Sequence, residues 1–199
     1  MSQSEPATPA ADLPRLLAIS GSLRRGSNTT AVLRGLAPLI EGRAQFDIAL
    51  LNEVPPYDAD QDGDAMPAGV RRLKQAIAEA DGLIVASPEY NYGMSGVLKN
   101  AIDWASRPAF ASPLKGKPAL IISSSPGPLG GARAQAQVRE ALAATLARPI
   151  ARPHIAIPMV DKKLVDGRIA DEVMLQTLRS GLDDLLAEVE LLRRSSSRA

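Results

Sequence analysis

The sequence predicts an α/β fold with a parallel sheet covered by helices on both faces. Two observations carry this. Five short apolar runs alternate with amphipathic segments along the chain, the pattern of strands buried by crossover helices. In addition, 45% of the 199 residues are hydrophobic but only 3% aromatic. A core built mainly of Ala, Leu, Ile and Val suits helices packed on such a sheet. This length fits one domain, expected over residues 13–193, and is enough to bury roughly two-thirds or more of the unfolded chain's surface.

Residues 1–12 are rich in Ala, Pro, Ser and Thr and read as a disordered tail, as does 194–199. "RLLAIS" (15–20) reads as the first strand and "TTAVLRGLAPLIE" (29–41) as a helix. "FDIALL" (46–51) is the second strand, followed by a polar loop. In "AGVRRLKQAIAEA" (68–80), Val70, Leu73, Ile77 and Ala80 share one helical face. "GLIVAS" (82–87) is the third strand. "SGVLKNAIDWASR" (95–107) is a helix with Ser95 as N-cap, and Val97, Leu98, Ala101, Ile102 and Ala105 face inward. Trp104 on this helix reads as packing. "PALIISSS" (118–125) is the fourth strand, 132–147 a helix, "PHIAIP" (153–158) the fifth strand, and a last helix runs from about Asp171 to Leu192.

Right-handed crossovers and five strands fit a flavodoxin-like, five-stranded parallel sheet of order 2-1-3-4-5. In that order the winding reverses between the first and third strands, and ligands bind at the carboxyl ends of those strands. Loops 20–30 and 87–95 are therefore the places to look for chemistry.

Composition narrows the chemistry. The net charge is +1, so neither a nucleic-acid stripe nor a membrane-surface helix is advertised. No apolar run approaches the ~18–20 residues of a spanning helix, and the N-terminus lacks the pattern of a signal peptide. The chain has no cysteine and one histidine, His154, between two prolines. Disulfides, thiol catalysis and cysteine- or multi-histidine metal sites are excluded, and His154 reads as structural or exposed. Redox chemistry would have to come from a bound organic cofactor, in the cytoplasm.

The first loop, "SGSLRRGSNTT" (20–30), opens a helix, and a first turn presents unpaired N–H groups that suit a phosphate. Gly21 and Gly26 permit close approach. Ser22, Ser27, Asn28, Thr29 and Thr30 supply donors, and Arg24 and Arg25 supply charge. Ser27-Asn28 stand where a Walker A loop needs Lys-Ser/Thr, and no G-x-G-x-x-G occurs in this turn. A terminal monophosphate ester fits best; an ordinary capped polar loop is the plain alternative.

At the second loop, Pro88 fixes the exit from the third strand, and Tyr90 and Tyr92 offer flat surface to a planar heterocycle. Glu89 has no His or Cys near it in sequence; it is either a base or, equally, the partner of an arginine, across a subunit interface or otherwise. The third loop, "SSSPGPLGGAR" (123–133), adds serines and glycines at the same sheet edge. It reads either as a binder of a polar ring edge or as a flexible connection.

These three segments, "GSLRRGSNTT", "SPEYNYGMSGVLKNAIDWASRP" and "SSSPGPLGGARAQ", resemble the NADPH-dependent FMN reductase family over about residues 14–158. That family includes bacterial quinone, chromate and azo-dye reductases of flavodoxin-like fold. The resemblance implies bound FMN, with Ser22, Arg24, Ser27 and Thr29 around its phosphate. Thr29 stands where the family usually has Asn, and Asn28 carries the amide one position earlier. Pro88, Glu89, Tyr90 and Asn91 would lie along the ribityl chain and ring, with the third loop nearby through Ser124, Gly127 and Gly130. The prolines of the third loop each remove one N–H. The resemblance further implies an enzyme with no catalytic side chain. Electrons from NADPH or NADH would pass through the flavin to quinones, chromate, azo compounds or free flavin in ping-pong order. It also implies a homodimer or homotetramer. A flavodoxin-type electron carrier and a non-enzymatic flavin-binding regulator are the rival readings, although the near-neutral charge is unlike an acidic carrier.

Overall fold

The computed structural model describes residues 13–196; the expected tail over 1–12, and the end of the one over 194–199, lie outside them. In chain order the elements are β1 (Arg15–Ser20), α1 (Asn28–Arg34), α2 (Ala37–Ile40), β2 (Gln45–Leu50), α3 (Ala68–Glu79) and β3 (Gly82–Tyr90). There follow β4 (Gly93–Met94), α4 (Gly96–Ala105), β5 (Pro118–Ser125), α5 (Ala132–Ala144), β6 (Arg148–Pro149) and β7 (Ile155–Pro158). The chain closes with α6 (Val160–Lys163), β8 (Leu164–Val165), β9 (Arg168–Ile169) and α7 (Glu172–Ser196), the last running past the expected Leu192.

The main sheet is flavodoxin-like, with seven strands rather than five. Its path is β2-β1-β3-β5-β6, with β4 on β3 and β7 on β5. The expected fifth strand over 153–158 is present as β7, which pairs with Ile122 to Ser125, and an unforeseen short strand, β6, precedes it and pairs with Pro118 and Ala119, both parallel to β5. Pro153 lies between them and has no N–H to continue the ladder. Nor is the sheet wholly parallel, because β4 runs antiparallel to the end of β3.

The strands bury both faces by alternation. Leu16, Ala18, Ile84, Ala86, Leu120 and Ile122 point into one core layer, beneath α1, α2 and α7. Leu17, Ile19, Leu83, Val85, Ala119 and Ile121 point into the other, beneath α3, α4 and α5. Each fully buried Leu or Ile stabilises by about 1.5–3 kcal/mol, so sheet registration is strongly specified. The helical faces follow the spacing: Val70, Leu73 and Ile77 are buried on α3. Ser95 caps α4 by accepting from the Leu98 N–H, and Leu98, Ala101, Ile102 and Ala105 are buried there. Val97, expected inside, is only half-buried.

Two expectations give way to local chemistry. The single helix over 29–41 is broken into α1 and α2, for Gly35 caps α1 and Pro38 falls in the first turn of α2. Pro38 has no N–H to offer the carbonyl four residues back. The third strand continues beyond Ser87 to Tyr90, since Glu89 pairs with Met94 and Tyr90 with Gly93. Asn91 and Tyr92 make the turn at φ 49° and 68°, and two positive φ values at the centre of a two-residue hairpin suit the strand twist.

Trp104 packs, as expected. It is fully buried, its indole N–H donates to the Pro55 carbonyl at 2.8 Å, and Tyr57 meets it edge-on at 4.9 Å. The same carbonyl accepts from the Asn100 side chain. Trp104→Phe should therefore cost only about 1–2 kcal/mol, read as a lowered midpoint in urea denaturation. His154 is exposed. No described helix is long and apolar enough to cross a membrane, and the described residues hold no cluster of metal-ligating side chains.

Candidate functional site

The carboxyl ends of β1, β3 and β5 surround a crevice of about 300 Å³. The first loop contributes Ser22, Arg24, Ser27, Asn28 and Thr29 to its lining; β3 contributes Pro88, Glu89 and Tyr90. Ser124, Ser125 and Pro126 line it from the third loop, and Val160 from α6. A larger cavity of about 660 Å³ lies between β2 and α3. Arg15 pairs with Glu79 and Arg72 with Glu53 on its rim, which Asp47 also lines, and it lies away from the switch point.

The first loop is drawn against the sheet at Gly21. Its N–H donates to the Ala86 carbonyl at 2.8 Å, and a Cβ there would stand 2.8 Å from that oxygen. Ser27 caps α1, accepting from the Thr30 N–H at 3.1 Å. Thr30 turns inward to Ser20, hydroxyl to hydroxyl at 2.7 Å, and so supports the loop from beneath. Thr29 bonds the Ser124 hydroxyl at 3.0 Å, tying the first loop to the third. Ser22 is buried and its hydroxyl has no partner among the described residues. The amides of Asn28 and Thr29 stand in a first turn, where no intrahelical acceptor exists. Arg24 is exposed and folds back to donate to the Gly26 carbonyl at 3.0 Å. The α1 helix has only seven residues, so hydroxyls, amides and Arg24 dominate this cradle.

The facing wall is the β3–β4 hairpin. Glu89 accepts from the Arg133 backbone N–H at 3.1 Å and from its guanidinium at 3.4 Å. The arginine foreseen for Glu89 is thus in the same chain. Tyr90 and Tyr92 are exposed. Asn91 sits at the hairpin tip, exposed, and does not line the crevice.

The third loop is an ordered support. The Gly127 carbonyl accepts from the Met159 N–H at 3.1 Å, and its own N–H donates to Ser125. Gly130 is buried and its carbonyl accepts from the Ser123 hydroxyl at 2.8 Å. Neither glycine lines the crevice; both are taken up in holding the loop against β5 and β7. Val160 was not foreseen, because α6 is a single short turn after β7 and carries no recognisable motif. The Arg133–Glu89 pair had a weak signal, an arginine in the first turn after the glycines of the third loop.

A flavodoxin-like sheet with a hydroxyl- and arginine-lined cradle at its switch point is a mononucleotide-binding class of protein. The donor set fits one phosphate monoester and an adjoining planar ring. Residues 14–162 match the NADPH-dependent FMN reductases, and the chain belongs to that family. It is 38% identical over 180 residues to an NAD(P)H-dependent FMN reductase of Pseudomonas aeruginosa, covering 90% of this chain and 97% of the relative. It is 36% identical over 182 residues to a quinone reductase of Escherichia coli K12, covering 90% and 96%. Among solved structures, the flavoenzyme NAD(P)H:(acceptor) oxidoreductase FerB of Paracoccus denitrificans is similar at a TM-score of 0.80 and 32% identity, over 89% of this chain and 98% of that one. The protein is an oxidoreductase whose cofactors are FMN and NAD(P)H.

Proposed function

We propose that the chain binds FMN in the switch-point crevice and passes electrons from NADPH or NADH to quinones in ping-pong order. The observation that carries this is a single switch-point crevice with one anion cradle and, among the described residues, no histidine, cysteine or second carboxylate in its lining. FMN held there would supply the electron-transfer chemistry between the nicotinamide donor and the acceptor. The chain's own residues bind and orient. Ser22, Ser27 and Asn28 offer donors to the phosphate, and Arg24, already on the crevice lining, adds charge. The Thr29–Ser124 bond holds the two loops at a fixed separation. Pro88, Glu89 and Tyr90 form the wall along the ring, with Asn91, Gly127 and Gly130 acting on loop shape.

Quinones are favoured by the names of the similar Escherichia coli enzyme; chromate, azo compounds and free flavin are further acceptors suited to an open site. Tyr90 on the crevice wall and Tyr92 in the hairpin turn, both exposed, favour a homodimer or homotetramer, and a cysteine-free chain suits the cytoplasm. Initial rates measured against both substrates test the shared site. Parallel double-reciprocal lines are expected; intersecting lines would overturn the ping-pong order.

A further inference from the structure

The α5 helix does more than cover the sheet: its first two turns clasp the hairpin that walls the crevice. Its N-cap residue, Gly131, has no side chain to cap it, and Glu89 accepts the Arg133 N–H from outside the helix. The Arg133 guanidinium lies 4.0 Å from the centre of the Tyr92 ring while reaching the same carboxylate. Further along, the Gln137 side-chain oxygen accepts from the Met94 N–H at 3.0 Å. Both ends of the hairpin are thereby pinned to one rigid element.

The electrostatic consequence falls on Glu89. Its side chain is only 12% exposed and lines the crevice, while Arg133 stays 48% exposed. A carboxylate so placed meets a phosphate monoester and a ring that gains negative charge on reduction, and a poorly solvated charge acts strongly on its neighbours. Arg133 is the cation that touches it, assisted by the positive end of α5. We propose that Arg133 is a positioning residue that neutralises Glu89, and that this pairing sets the retention and the reduction potential of FMN in the crevice. The stack on Tyr92 keeps the guanidinium in place. This rests on FMN occupying the crevice, as proposed above.

The test compares wild type, Arg133→Ala, Glu89→Gln and the double variant by FMN titration and by spectroelectrochemical potential of the bound flavin. Arg133→Ala should weaken FMN binding about tenfold and move the potential to more negative values. Glu89→Gln keeps an acceptor for the Arg133 N–H but removes the charge, and should move the potential the other way. The double variant should return the potential toward wild type, a rescue that a purely mechanical brace does not give. An unchanged potential in both single variants overturns the proposal while leaving FMN binding intact. Failure of the wild type to take up FMN overturns the functional reading itself. Should Arg133→Ala fail to fold, Arg133→Gln takes its place in the single and the double variant, and the same rescue of the potential supports the pairing while its absence refutes it.

Discussion

Arg24→Ala is expected to weaken FMN binding by about tenfold to a hundredfold, the range for losing a charge-assisted hydrogen bond to phosphate. Thermal stability should stay within about 0.5 kcal/mol of wild type, as for other exposed substitutions. Arg24 is exposed, and among the described residues its guanidinium bonds only the Gly26 carbonyl of its own loop, so little of the fold depends on it. A phosphate offers a stronger acceptor than that carbonyl, and the side chain reaches the crevice from where it stands. Fluorescence titration of FMN, alongside a thermal melt, separates the two effects. An unchanged dissociation constant would remove Arg24 from the phosphate cradle.

Gly130→Ala should act in the opposite sense, on the fold first and on FMN only as a consequence. Gly130 has φ 61°, and a Cβ there would lie 2.7 Å from the Pro158 nitrogen and 2.8 Å from the carbonyl carbons of Ala156 and Ile157. These are backbone atoms of β7, which cannot turn aside as a side chain does. Overpacking and left-handed strain together cost about 2–4 kcal/mol, or a melting temperature lower by on the order of 5–15 °C. The loss should be as large without FMN as with it. A wild-type melt of the FMN-free variant would mean that the third loop yields freely, contrary to the packing described.

The strands over 15–20 and 118–125 were legible to the residue, because each is an uninterrupted apolar run between turn residues. The crevice was legible through topology: once the winding order was read, the first loop and residues 88–90 were the ones the fold brings together. What escaped has physical reasons. The hairpin turn at Asn91-Tyr92 takes positive φ without glycine, so its sequence lacks the usual signature. The short strand β6 at Arg148–Pro149 escaped because two residues carry no apolar run, and β7 starts at Ile155 rather than at Pro153, which has no N–H for the ladder. The resemblance places Gly127 and Gly130 near the flavin, but neither lines the crevice. At Gly130 the backbone of β7 approaches closely.

The absorption spectrum of the purified protein with FMN, recorded anaerobically before and after addition of NADPH or NADH, tests FMN-dependent electron transfer most directly. A bound-flavin spectrum that bleaches on addition of the nucleotide, and recovers its yellow absorbance when a quinone is added, is the predicted result. No FMN uptake, or a bound flavin that neither nucleotide reduces, would contradict it.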